Sequence, residues 1–245
     1  MFTSSKFAGW SAIVGAVVGL AITPFMAAVW AYEPGVVWDD TSWLASTVGP
    51  TLESWGALTF GAAKVVAADG DVVAESFAYE VYGKAFFAVY LLMLPIVRYV
   101  HVRFQGSNDS KWERRVWRVL WVSLIVATAA DAVSYWGISV PGQLGESLWG
   151  GGFGVEILAV VVLLLATTIY GLVSLKRRVV PRWASVLLAA IIPVGIATLA
   201  VVTTYVPNAV IVPMSLIWAG VGAWVLSQAG NRSEPSPTTP TAGDT

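Results

Sequence analysis

The chain has no cysteine and only one histidine, His101. Disulfides and thiolate metal sites are therefore excluded, and a lone histidine cannot build an ordinary metal centre. Charge is also scarce: Asp, Glu, Lys and Arg make up 12% of the 245 residues, against roughly 25% in a soluble protein. Walker, HExxH, GxSxG and CxxC patterns are all missing, so the commonest signatures of nucleotide, zinc-hydrolase, serine-hydrolase and dithiol chemistry do not apply. GGGFG (150–154) follows no strand pattern and reads as a flexible entry to an apolar helix, not as a nucleotide fingerprint. The sequence thus implies no cofactor, no metal and no catalytic residues.

What is present is hydrophobic: 57% of residues, with a mean hydropathy of +0.72. Apolar stretches of about 20 residues recur, each long enough for a hydrocarbon core of roughly 30 Å. They predict an all-α, polytopic transmembrane bundle of six helices, about Gly9–Tyr32, Tyr79–Val100, Val116–Trp136, Phe153–Leu175, Trp183–Val206 and Ala209–Gln228. The last two are separated only by Pro207-Asn208, which predicts an antiparallel αα-hairpin. On this reading residues 1–228 are one transmembrane domain with an outer loop at 33–78. Residues 229–245, rich in Pro, Ser and Thr, are a disordered cytoplasmic tail.

The net charge of −1 hides a segregation of sign. With both termini cytoplasmic, Arg98, Arg103, Lys111, Arg114, Arg115 and Arg118 fall on the inner side, as do Lys176, Arg177, Arg178 and Arg182. Only Lys64 and Lys84 stay outside, and eight acids from Glu33 to Glu80 lie before or at the very start of the second helix there. This obeys the positive-inside rule and predicts a multi-pass plasma-membrane protein whose first partner is the lipid bilayer. The 13 tryptophans, many at predicted helix ends, suit the headgroup zone. KWERRVWRV (111–119) is explained by inner-face anchoring against acidic headgroups, without nucleic acid.

Three segments admit two readings. Residues 1–31 also resemble a signal peptide ending at Val29-Trp30-Ala31, but the apolar run of about 24 residues exceeds the 7–15 of a usual signal core. An uncleaved anchor is favoured, and cleavage would leave five helices in the same orientation. WGALTFGAAKVVAA (55–68) is short and carries Lys64, which predicts an interfacial or re-entrant piece. VVAADGDVV (65–73) reads as a small hairpin, or as a turn whose Asp71 begins an extension of the second helix; the second reading is favoured. Upstream, DDTSWLASTVGP carries helix start and stop signals.

The informative polar residues lie inside predicted spans. Lys84 enters the second helix, with Glu80 one turn before it. Asp131 stands at a matching depth in the third helix and Glu156 just inside the outer end of the fourth. Together they form a candidate buried polar layer within roughly 10 Å of the outer interface, taking 1.5 Å per residue. Lys84 can snorkel outward, pair with Asp131, or line a polar pocket with both acids. GAVVG (15–19) permits close helix packing, and Pro24, Pro95, Pro193 and Pro213 each interrupt a span. His101, between Arg98 and Arg103, reads as a solvated interfacial residue.

YEVYGKAFFAVYLLMLP, DAVSYWG and VVPRWAS resemble motifs of functionally uncharacterised small multi-span membrane proteins of actinobacteria. The resemblance covers about 79–200 and implies no catalytic residues. The leading expectation is a non-enzymatic structural or accessory role, alone, as a homo-oligomer or beside a protein partner. The alternative is a small-solute or ion transporter using the outer polar layer.

Overall fold

The computed structural model describes residues 4–32, 71–105, 110–137, 139–201 and 206–230. Every regular element among them is helical. The order is α1 (Ser5–Tyr32), α2 (Asp71–Val100), a π-turn (His101–Gln105), α3 (Lys111–Gly137), α4 (Gln143–Arg177), α5 (Arg182–Ala189), α6 (Ile191–Val201) and α7 (Val206–Gly230). Five helices contain segments long and apolar enough to cross a membrane: Ser5–Ile22, Gly83–Arg103, Lys111–Gly137, Gln143–Arg177 and Ala209–Ala229.

The predicted fifth span is not one helix. It breaks at Ala190 (φ −93°, ψ 11°) into α5 and α6, because Pro193 offers no N–H to the carbonyl of Ala189 and its ring crowds that carbonyl. The break is also where α4 comes closest: a Cβ on Gly171 would run into the backbone of Leu188 and Ala189. Nor is Pro207-Asn208 a turn. Both residues lie in the first turn of α7, where the missing N–H of a proline is one that no helix could use.

Other boundaries move outward for local reasons. Ser110 and Glu113 form a capping box, with Ser110 N–H donating to Glu113 Oε2 (2.8 Å) and Glu113 N–H donating to Ser110 Oγ (3.2 Å). It carries α3 five residues beyond the apolar run. The GGGFG segment is helical, part of an α4 that starts ten residues before the predicted Phe153. Two observations account for this: Ser134 Oγ donates to the Trp149 carbonyl (3.1 Å), and Gly152 lies against the backbone of Ser134 and Ala130. Asp71 leads directly into α2, the helix-extension alternative. The rest of the outer loop, including 55–68, and the tail from 231 lie outside the described residues.

The bundle is chained by neighbours: α1 packs on α2 and α7, α2 on α3, α3 on α4, and α4 on α5, α6 and α7. Glycines set the closest approaches. Gly9 on α1 meets Gly222 and Leu226 on α7, while Gly15 and Gly19 face Leu92 and Val89 of α2 and Ser215 of α7. Small residues of this kind let backbones approach where hydrocarbon supplies no hydrophobic drive. The core holds Trp218, Tyr90, Phe86, Met93, Leu124 and Leu163. Outward faces are apolar instead: Leu158 is 69% exposed and Ile196 63%. That inversion is natural for a chain whose solvent is lipid.

Candidate functional site

Helix register decides which polar residues meet. α2 and α3 are antiparallel, and Gly83 lies directly under the ring of Tyr135. α3 and α4 are antiparallel as well, with Gly152 seated between Ala130 and Ser134. From those fixed points, Tyr90 lies about 10 Å further along α2, Asp131 about 6 Å along α3 and Glu156 about 6 Å along α4, at 1.5 Å per residue. All three reach the same level of the bundle. Side chains lean towards the N-terminus of their helix, so Asp131 leans one way while Tyr90 and Glu156 lean the other. They converge.

Asp131 and Glu156 are both fully buried, at 0% exposure. The Tyr90 hydroxyl donates to Glu156 Oε1 at 2.9 Å, and its ring is held edge-on by Phe86 (5.3 Å, 84°). The other three carboxylate oxygens, Asp131 Oδ1 and Oδ2 and Glu156 Oε2, accept no hydrogen bond. Thr128, one turn before Asp131, turns its hydroxyl to the Leu124 carbonyl (2.7 Å). An ionised side chain at the centre of a bilayer costs about 2.5–3.5 kcal/mol on insertion scales. Two facing acids add mutual repulsion to that cost.

Lys84 stands apart from them. Its ammonium donates to Ser139 Oγ (2.7 Å) and lies 5.9 Å from the Trp136 ring. A Lys84–Asp131 pair is not formed, since neither oxygen of Asp131 has a bond. The long lysine chain reaches the end of the bundle and a polar hydroxyl instead, which is what snorkelling predicts. Nor do the acids line an open pocket: water reaches neither of them in this conformation. The Glu80 side chain lies outside the described residues.

A second polar cluster occupies the opposite, basic end. Arg177 grips Glu113 with two bonds, Nε to Oε1 and Nη2 to Oε2, both 2.9 Å. This fork joins the last turn of α4 to the first turn of α3. Nearby, His101 stacks on Trp117 (3.7 Å, 9°) and Trp117 on Trp121 (5.8 Å, 10°), with Arg98 over Trp121 at 5.9 Å. His101 is therefore a half-buried stacking partner at this end of the bundle, where the sequence suggested a solvated interfacial residue. Among the described residues no group of three His, Cys, Asp or Glu converges to hold a metal.

Reading the sequence alone missed Tyr90 and the Glu113–Arg177 pair. A signal existed for each: a phenol in mid-span must find a hydrogen-bond partner, and Ser-x-x-Glu before an apolar run is a capping box. The partner across the bundle was not visible for either.

The fold and site together define an α-helical bundle in which five helices are long and apolar enough to cross a membrane, with a sealed acidic centre between α2, α3 and α4. Comparison of the chain with models of known families, with curated proteins and with solved structures finds no match.

Proposed function

We propose that the chain is a six-span plasma-membrane protein, with both termini cytoplasmic and α5–α6 forming one broken span, and that it moves a small solute or ion across the bilayer. The observation that supports transport is the Asp131–Glu156 centre. Fully buried acids with unbonded oxygens weaken a bundle that has only to stand in the membrane. Intramembrane acids facing a bundle interior are characteristic of ion and substrate pathways. The break at Ala190 gives α5 and α6 a hinge, as broken helices do in transporters.

Accessibility tests this reading. The chain has no native cysteine, so a single introduced thiol reports without background. Thr128→Cys, beside Asp131, is expected to react with a membrane-permeant thiol reagent far faster than Ile217→Cys, which is as enclosed (7% exposed against 6%) but belongs to the hydrophobic core on α7, a helix without a titratable residue. Equal inertness of the two would remove the transport reading. Single cysteines at 106–109 and in the tail, labelled only after permeabilisation, test the orientation.

The second reading is a structural or accessory role, within a homo-oligomer or beside a protein partner. It draws on the close glycine crossings of α1 with α7 and of α3 with α4, which suit a rigid bundle. The same thiol experiment separates the two.

A further inference from the structure

We infer that the space between Asp131, Glu156 and Tyr90 is a binding site for one small monovalent cation, a proton or a sodium ion. The inference deepens the transport reading by naming what the centre holds, and it rests on that reading only for the purpose of the binding.

Two acids alone do not make a site. Here the second observation is Asp131 itself: wholly buried at the level of Tyr90 and Glu156, with neither oxygen bonded. Buried charged groups are otherwise paired or hydrogen-bonded, so two carboxyls buried at one level with three oxygens unbonded require a positive charge, proton or cation, to be held there. Among the described residues none supplies that charge. Tyr90 faces the centre from α2, and Tyr135 lies one turn from Asp131 on α3; both are neutral phenols. Lys84 is bonded to Ser139 further along the bundle. α7 contains no titratable residue, α5 and α6 contain only Arg182 at the basic end, and α1 has only Lys6 and Tyr32 at its two extremities.

The chemistry of the donors selects the ion. All available ligands are oxygens, which excludes soft metals that prefer thiolate or imidazole. Calcium would need roughly six to eight oxygens and magnesium a strict octahedron, against three unbonded carboxylate oxygens here; a proton needs no further ligand, and sodium would have to complete its shell with backbone carbonyls or water. A single positive charge is what remains. The Tyr90 hydroxyl fixes Glu156 by one oxygen and leaves Oε2 turned to the ion, so Tyr90 is a positioning residue.

The test uses the full-length protein in lipid nanodiscs, with infrared difference spectra and thermal unfolding as readouts. Sodium chloride is exchanged for choline chloride at constant ionic strength and pH, and separately pH is stepped in choline. A sodium site predicts a shift of carboxylate bands and a higher unfolding midpoint in sodium, since a ligand that binds only the native state stabilises it. A proton site predicts appearance and loss of the protonated-carboxyl band with pH, and indifference to sodium. In either case Asp131→Asn and Glu156→Gln each abolish the response, and Tyr90→Phe weakens apparent affinity several-fold while keeping it. If the wild-type spectra change with neither ion, or if the response survives in both amide variants, the inference is overturned. The chain's other acids titrate in the same band, so the centre is read from the difference between wild type and variant; where an amide variant fails to fold, Tyr90→Phe supplies that difference, and identical wild-type and Tyr90→Phe responses overturn the inference. Binding without reactive Thr128→Cys keeps the site and removes transport; reactive Thr128→Cys without binding does the reverse.

Discussion

Gly83→Ala is the sharpest probe of how α2 is held against α3. A Cβ at this position would fall inside the ring of Tyr135, overlapping Cδ1, Cγ and Cε1. Tyr135 is itself wholly enclosed, at 0% exposure, so the ring cannot swing aside into open space. Overpacking a well-filled core costs about 1–3 kcal/mol, and the upper end applies because the collision is with a trapped aromatic ring. Against that, alanine is favoured over glycine in a helix by about 0.8–1.0 kcal/mol. The net expectation is a loss of about 2 kcal/mol, measured as reversible unfolding in mixed micelles. Tyr135→Leu shortens the obstructing side chain and leaves a void of its own. In Gly83→Ala/Tyr135→Leu the new methyl enters that void, so the double mutant should be more stable than the sum of the single losses by roughly 1 kcal/mol or more. A Gly83→Ala protein within about 0.5 kcal/mol of wild type, or strict additivity in the double mutant, refutes the packing argument. Because Asp131 lies one turn from Tyr135, the same substitution should also alter the reactivity of Thr128→Cys.

The remaining expectations concern the other contacts. A double-mutant cycle on Glu113→Gln and Arg177→Gln should give a coupling of about 1 kcal/mol, limited because Arg177 is 44% exposed and surface pairs are screened; additive losses would show that the fork contributes nothing. Arg177→Lys should lose most of that coupling, because a lysine cannot make two parallel bonds to one carboxylate. Gly222→Val should cost about 1–3 kcal/mol, since its Cβ would lie 2.7 Å from the Gly9 carbonyl oxygen and only separation of α1 and α7 relieves it. Ala223→Val, on the exposed side of the same helix, is the control and should stay within about 0.5 kcal/mol of wild type. Pro193→Ala restores the N–H that the Ala189 carbonyl lacks, and should fuse α5 and α6. Spin labels at the exposed Val186 and Ile196 should then report a changed, narrower distance distribution, and an unchanged one would place the cause of the break elsewhere.

Composition and hydropathy determined the class of object: an all-α chain with helices fit to cross a bilayer, almost no charge within them, and no motif for metal, thiol or nucleotide chemistry. They also picked out Asp131 and Glu156, because an acid in an apolar helix is expensive whatever surrounds it. One-dimensional periodicity did not show where helices stop. Lys111–Arg115 and Gln143–Gly152 are too polar or too rich in glycine to read as span, yet a capping box and a close glycine crossing extend the helices through them. Trp183–Val206 carries no charge and reads as one apolar span, yet Pro193 divides it. Matched depth could not decide whether Lys84 snorkels outward, pairs with Asp131 or lines a pocket with both acids, because depth is a one-dimensional property that ignores azimuth. Only the packing of α2, α3 and α4 decided that lysine turns to Ser139 while tyrosine turns to the acids. Burial of both carboxylates in one sealed space, with three oxygens unbonded, is a consequence of helix register, and register is set by contacts between residues far apart in the chain.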